Sequence, residues 1–232
     1  NGTTWQILPG SENSIYDFAF DANDENLVFM VNGGEHDWPF KSLSKIGFGG
    51  VFKSNNKGDS WQRLTPNNNE YNRQYLSIGY DHIRGHIYAG SHSDGISRSL
   101  DGGLTWEKFN DGLPNKLAGH NFDMDLVIPQ IEVMSNGNVY ALVTGVRPEL
   151  TQEQVTQFAI PGSEILTDNS SGTTKYYSWL NSAWTGIYLL DVAQGATSWT
   201  LLRENIDLSS HSHWSENYLP WKRPVSFAID PN

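Results

Sequence analysis

The sequence contains no cysteine, which removes disulfides, CxxC zinc sites and thiol nucleophiles in one step. Basic residues are scarce: 15 Lys and Arg stand against 26 Asp and Glu, a formal net charge of −11. Nucleic-acid binding needs clustered Lys and Arg to neutralise phosphates, so nucleic acid is excluded as the chain's partner. No uninterrupted apolar run approaches the ~18 residues of a membrane-spanning helix, and no membrane insertion is expected. Helical periodicity is missing too, with Leu150–Phe158 the one weak candidate. No organic cofactor is called for. What is present suffices for a packed fold: 232 residues, 38% hydrophobic and 12% aromatic, with nine Trp and 22 Gly.

An internal repeat organises the chain. Ser54-Asn55-Asn56-Lys57-Gly58-Asp59-Ser60-Trp61 and Ser99-Leu100-Asp101-Gly102-Gly103-Leu104-Thr105-Trp106 share the template S-x-[DN]-x-G-x-[ST]-W. Each follows a short strand-like run opened by glycine, Gly50–Lys53 and Gly95–Arg98, and a degenerate third copy runs from Gly186–Asp191 through Gly195 to Trp199. Upstream of each lies a pair of apolar runs joined by a polar turn: Ile15–Phe20 with Leu27–Val31, Tyr75–Tyr80 with His86–Gly90, and Ile131–Met134 with Asn138–Val143. Each repeat therefore reads as four short strands, A to D, with the template at the C–D turn. The chemistry of that turn is structural: a short polar side chain accepts backbone N–H bonds, glycine supplies positive φ, and Trp packs between sheets. Asn56 in the place of Asp101 agrees, because an amide keeps the hydrogen bonds and loses any role as a base. Ser54, Asn56, Gly58, Trp61, Ser99, Asp101, Gly103 and Trp106 are assigned to this structural role.

These residues resemble the Asp-box (BNR) repeat of β-propellers, found in sialidases, sortilin/VPS10 receptors and the xyloglucanases of glycoside hydrolase family 74. The resemblance implies an all-β propeller of four-stranded antiparallel blades, with blades over about 14–66, 73–114 and 126–204. Gly2-Thr3-Thr4-Trp5 matches the second half of the template, and Val225–Asn232 matches the A strand and turn of Tyr16–Asn23. Residues 1–9 and 221–232 are therefore expected to be flanking partial blades, with the remaining blades supplied by the same or another chain.

In an alternating four-stranded blade the B–C loops and D–A links share one edge, and the A–B and C–D turns share the other. The extra length sits almost wholly in the first set: B–C segments 32–49, 91–94 and about 144–185, and D–A links 110–129 and 203–224. Five of the nine Trp (Trp38, Trp179, Trp184, Trp214, Trp221) and five of the seven His (His36, His92, His120, His211, His213) fall there. Carboxylates accompany them, including Asp37, Asp94, Asp123 and Asp125. Flat rings stack on sugar faces and ionisable groups orient hydroxyls or move protons, so a polysaccharide or oligosaccharide ligand is expected on this rim. The candidate catalytic residues are Asp37, Asp94, Asp123 and His120. The candidate substrate-binding residues are Trp38, His36, His92, Trp179, Trp184, His211, His213, Trp214, Trp221 and Arg223.

Glycoside hydrolysis needs two carboxylates across the scissile bond. Resemblance to the xyloglucanases would place a catalytic Asp just ahead of a third strand, where this chain has Gly47 and His92, with Asp94 displaced towards the strand. A sialidase would need three arginines around a carboxylate, and the echo here is only Arg223-Pro224-Val225. A polysaccharide lyase is the competing enzyme, with His120, His211, His213 and Tyr218 as proton-moving groups and Arg147 and Arg223 neutralising a uronate. His211 and His213, one residue apart, are also the candidate ligands for a metal ion, with His120 or Asp123. A sortilin-like or adhesin-type binding propeller is the non-enzymatic alternative. The sequence thus points to an extracellular or cell-surface, carbohydrate-processing propeller, with a glycoside hydrolase ahead of a lyase.

Overall fold

A computed structural model of the chain describes residues 14–33, 49–68, 70–71, 73–114, 125–146, 149–150, 164–168, 175–179, 184–204 and 226–229. The first sheet runs β1 (Ser14–Phe20), β2 (Val28–Gly33), β3 (Gly50–Ser54) and β4 (Gln62–Arg63), paired antiparallel in chain order. The second repeats it with β5 (Tyr75–Asp81), β6 (His86–Ser91), β7 (Ile96–Ser99) and β8 (Glu107–Lys108). The third begins with β9 (Asp125–Val133) and β10 (Val139–Val146). It is interrupted by a small antiparallel sheet of β11 (Glu149–Leu150), β12 (Glu164–Asp168) and β13 (Lys175–Trp179), then completed by β14 (Trp184–Leu190) and β15 (Thr200–Glu204). These are three four-stranded antiparallel blades of a β-propeller. The helix candidate Leu150–Phe158 lies outside the described residues apart from Leu150, which is in β11. Among the described residues no helix is long and apolar enough to cross a membrane.

Local sequence explains each strand. Val28, Phe29, Met30 and Val31 are all buried, as a continuous apolar run in a strand covered on both faces requires. β1 shares its burden differently: Asp17 and Ala19 turn towards the second blade, leaving Tyr16, Phe18 and Phe20 exposed. The A–B turns close on their own side chains. Asp21 Oδ1 accepts the N–H groups of Asn23 and Asp24 at 2.6 and 3.1 Å, Asp81 Oδ1 does so for Ile83 and Arg84, and Asn136 Oδ1 takes the Asn138 N–H.

The two S-x-[DN]-x-G-x-[ST]-W turns are closed by matching bonds. Ser54 Oγ accepts the Gly58 N–H at 2.8 Å and Ser99 Oγ the Gly103 N–H at 2.8 Å. Asn56 Oδ1 accepts the Ser60 N–H at 3.0 Å, as Asp101 Oδ1 accepts that of Thr105 at 2.8 Å. The backbone is left-handed at Gly102 and Gly103 (φ 70° and 97°), and in the first blade at Lys57 and Gly58 (φ 58° and 95°). Lys57 tolerates that region because Asn26 O takes its N–H at 3.0 Å and Glu25 its ammonium at 2.6 Å. In the third blade a 3-10 turn, Val192–Gln194, stands at this place, capped by Asp191 and ended by left-handed Gly195 (φ 76°). The template Trp residues differ in depth: Trp199 is 3% exposed, whereas Trp61 and Trp106 are half-buried.

Hydrogen bonds from Thr105, first its hydroxyl and then its N–H, hold the Asp101 carboxyl down to about 2. A folded value below the unfolded one (about 3.9) means that the ionised group favours the fold above that pH. Its contribution is lost as pH falls through about 2. Asp101→Asn is therefore expected to flatten the acid limb of the stability profile. Urea midpoints measured from pH 6 to pH 2 check this, and parallel profiles for parent and variant would show that the carboxylate is idle.

The blades join at their inner strands through a recurrent side-chain bond that the repeat template does not contain. Each inner strand is irregular near its start, at Ile15/Asp17, Tyr75/Ser77 and opposite Leu142/Thr144, and the residue on its turn-side flank bonds to the backbone of the next inner strand. Asp17 Oδ2 accepts the Ile78 N–H at 3.0 Å, and Ser77 Oγ donates to the Ile128 carbonyl at 2.8 Å. Gln130 accepts the Phe227 N–H at 2.6 Å and donates to its carbonyl at 3.0 Å. Residues 226–229 thus stand beside β9 as β5 stands beside β1; the rest of the segments 1–9 and 221–232 lies outside the described residues. Burial raises the Asp17 carboxyl above its usual range, opposed by the N–H bonds it accepts. Two apolar clusters fill the seams. Phe29, Val31 and Val51 pack with Tyr75, Ile78, Ile87 and Ala89. Tyr88, Ile96 and Phe109 pack with Ile128, Ile131, Val143, Tyr188 and Trp199. Each large side chain so buried contributes about 1.5–3 kcal/mol.

Candidate functional site

Strand alternation sends the two kinds of connection to opposite edges of the blades. On the edge carrying the A–B and C–D turns, Asp21, Asp24, Asn56, Asp81, Asp101, Asn136 and Asp191 all accept backbone N–H groups of their own turns. These seven side chains are spent on the fold. On the other edge, where the first two blades meet, charged groups gather around side chains rather than turns.

The B–C turn of the second blade is the centre of this cluster. Ser91 Oγ accepts the Asp94 N–H at 2.8 Å and donates to the Gly95 carbonyl at 3.0 Å. Asn110, just after β8, clamps the turn by accepting the Ile96 N–H at 2.8 Å and donating to the Asp94 carbonyl at 2.9 Å. Gly95 (φ 75°) lets this happen, since a Cβ there would lie 2.7 Å from Asn110 Cγ. The turn is also strapped to the third blade: the Leu126 N–H donates to Ser93 O at 2.9 Å and the Gly95 N–H to Leu126 O at 3.0 Å. Asp94 is thereby held by a rigid frame, with its carboxylate about one-third exposed (32%).

Cations converge on that carboxylate. Arg73, from the link between the first two blades, donates through Nε to Asp94 Oδ2. Lys108 on β8 places Nζ 3.6 Å from the same oxygen and 5.6 Å from the centroid of the Tyr71 ring. Burial lowers the Lys108 ammonium, and the Asp94 charge opposes that shift. Below them Tyr75 is fully buried, its hydroxyl 3.4 Å from Ser97 Oγ, and burial pushes it up to about 12. Arg63, at the position in the first blade that Lys108 holds in the second, turns its guanidinium to the carbonyls of Gly49 and Thr65 at 2.8 and 3.0 Å. The Gln74 side chain, on a residue 2% exposed, donates to the Tyr16 hydroxyl at 2.6 Å, and the Gln74 backbone carbonyl takes the His92 N–H at 2.9 Å.

Of the candidate catalytic and substrate-binding residues, the structure describes Asp94 and His92 with their side chains, and both belong to this seam. Trp179 ends β13 and Trp184 begins β14, as backbone positions. Asp37, Asp123, His120, His36, Trp38, His211, His213, Trp214, Trp221 and Arg223 lie outside the described residues, as do Arg147 and Tyr218. Among the described residues no three His, Asp or Glu are placed to hold a metal ion. Sequence reasoning missed Arg63, Arg73, Lys108, Tyr71 and Asn110. A signal existed for two of them, since Arg63 and Lys108 each stand two residues after the template Trp.

No family model matches the chain. No curated protein matches it either. It is similar to the solved structure of the GH74 enzyme of Niastella koreensis, at 15% identity and a TM-score of 0.37, over 79% of this chain and 28% of that one. It is similar to YCF48 from Cyanidioschyzon merolae at 17% identity and a TM-score of 0.36, over 85% of this chain and 59% of that one. The Malassezia sympodialis allergen Mala s 1 is similar at 13% identity and a TM-score of 0.34, over 86% and 82%. The chain spans less than two thirds of the length of the first two. Likeness at this level leaves activity to be argued from the chain's own residues.

Proposed function

We propose that the chain is a polysaccharide-binding propeller of a secreted or cell-surface protein, gripping its ligand on the rim made by the B–C loops and D–A links. One observation carries the reading: seven Asp and Asn side chains of the turn edge are engaged in closing turns, whereas the opposite edge holds Arg73, Asp94 and Lys108 in a part-open cluster on a rigid frame. A rigid scaffold presenting ionisable groups beside long loops is the usual form of a ligand site. The composition of those loops, rich in Trp and His, supports a sugar as the ligand.

Binding is favoured over hydrolysis because Asp94 is engaged by two cations, whereas a glycosidase needs a carboxylate pair across the bond. The enzymatic form of the proposal rests on Asp37, Asp123 and His120. A panel of neutral and uronic-acid polysaccharides tests both. Retention in affinity electrophoresis without new reducing ends or absorbance near ~235 nm is the expected result. Reducing ends alone would make the protein a hydrolase and absorbance would make it a lyase. No retention on any polysaccharide would overturn the proposal.

A further inference from the structure

The outward face of the first blade is open where its counterparts in the other two are closed. Asp17, Ser77 and Gln130 hold one position in the three inner strands. In that register Phe18 and Phe20 of β1 stand where β5 has Ile78 and Tyr80 and β9 has Ile131 and Val133. The later pairs are seated on the preceding blade. The Tyr80 ring lies 4.5 Å from that of Phe29, centroid to centroid, and a Cβ on Gly79 would lie 2.7 Å from Cγ2 of both Ile131 and Val133. Ile78 and Ile131 are accordingly 3% and 4% exposed, against 37% at Phe18 and 69% at Phe20. The Phe18 ring lies 6.4 Å from those of Phe20 and Trp61, so the open face is a continuous aromatic patch. Apolar side chains exposed singly are ordinary, but a patch of them marks a place of contact.

The chain also carries the complement of that face. Gln130 accepts the Phe227 N–H as Asp17 accepts that of Ile78, which puts 226–229 in the register of an inner strand. Phe227 and Ile229 are half-buried, and they alternate with exposed Ser226 and Ala228. Ser226 and Ala228 therefore hold the places of Asp17 and Ala19, which β1 turns towards Ile78 and Tyr80. The two faces do not cover one another within a molecule, since both are exposed. We infer that the Phe18–Phe20 face of one copy docks head to tail on the 226–229 segment of a second copy. Phe18 and Phe20 then sit against Ala228 as Ile78 and Tyr80 sit against Ala19. Ser226 meets the backbone at Phe18 as Asp17 meets it at Ile78. Two copies joined at both ends bring eight inner strands together, four from each: β1, β5, β9 and 226–229. Propellers close with about four to eight blades, and a contact between unlike surfaces is of the kind that closes rings. No sugar takes part in this contact, so it and the polysaccharide proposal stand or fall separately.

Sedimentation equilibrium of the whole chain tests this. A reversible dimer is expected, tightening as salt screens the net charge of −11 on each copy. Phe20→Asp and Ala228→Glu are each expected to weaken association at least about tenfold, because each puts a charge into an apolar contact. Both positions are exposed, so melting temperatures near the parent's accompany the loss. The decisive step mixes the two variants in equal amounts. Head-to-tail docking leaves one contact intact, between the 226–229 segment of the Phe20→Asp chain and the β1 face of the Ala228→Glu chain. A heterodimer tighter than either variant's own association is therefore expected. Larger assemblies that respond to the substitutions and to mixing in the same way uphold the contact too. A monomer at every concentration and salt overturns the inference, the β1 face then being covered within the chain. Association untouched by both substitutions also overturns it. If Phe20→Asp abolishes association while Ala228→Glu is silent, the β1 faces pair with each other and head-to-tail docking is wrong.

Discussion

Trp199→Ala is expected to lower the free energy of unfolding by about 3–5 kcal/mol, the range for truncating a fully buried aromatic. The side chain is 3% exposed and belongs to the apolar cluster shared by the second and third blades. Its ring lies 6.0 Å from that of Phe109, centroid to centroid, and its indole N–H donates to Phe109 O at 3.0 Å. Truncation opens a cavity between blades and also strands a buried carbonyl, each of which destabilises on its own. Trp61 is the internal control. It holds the equivalent place in the first repeat but is half-buried, with Phe18 at 6.4 Å as its aromatic neighbour. Trp61→Ala is expected to cost about 1–2 kcal/mol, less area being lost from contact. Urea unfolding of both variants settles the point. Equal losses would mean that the two Trp residues do the same work and that the blade seam is not what Trp199 secures.

Gly90→Val is expected to cost about 2–4 kcal/mol and to loosen the same seam from the other side. Gly90 is on β6, where the chain passes directly over β9. A Cβ there would lie 2.5 Å from Ile128 Cγ2 and 2.6 Å from Ile128 Cβ, and would press on Ser77 Oγ. Those are a branched core side chain and the donor of the bond between inner strands, so neither yields without breaking something. Overpacking of this kind costs about 1–3 kcal/mol, and losing the Ser77–Ile128 bond adds about 1. Gly85→Ala separates space from backbone strain. Gly85 has φ 74° but nothing within 4 Å of an added Cβ, so its substitution is expected to cost about 1–2 kcal/mol through the left-handed backbone alone. Should Gly90→Val prove no worse than Gly85→Ala, the blades would be less tightly apposed than the structure places them.

The blade plan was legible because it is written in short-range chemistry. Paired apolar runs with polar turns between them, and glycine beside a Ser and an Asp or Asn, act over a few residues and leave their spacing in the chain. Asp101 and Asn56 illustrate this, each bonding to groups within four residues of itself. The bonds that join one blade to the next left no such trace. Asp17, Ser77 and Gln130 share a position and a role but no side-chain chemistry. What they have in common is a place beside an irregularity in the inner strand, and they reach partners 51 to 97 residues away.

The candidate site shows the same division. Asp94 and His92 drew attention as ionisable residues in a loop, which sequence can show. That Asp94 faces Arg73, 21 residues earlier, and Lys108, 14 residues later, is a product of how the strands and loops of the second blade close on one another. By itself the sequence determined the all-β plan and the four-stranded repeat, because strand alternation and turn composition are local rules. Only the tertiary structure decided which charges share a seam and which are spent on turns. It also left the Lys108 ammonium buried and without a hydrogen-bond acceptor among the described residues. Burial and charge proximity depend on three-dimensional distance, which spacing along the chain does not give.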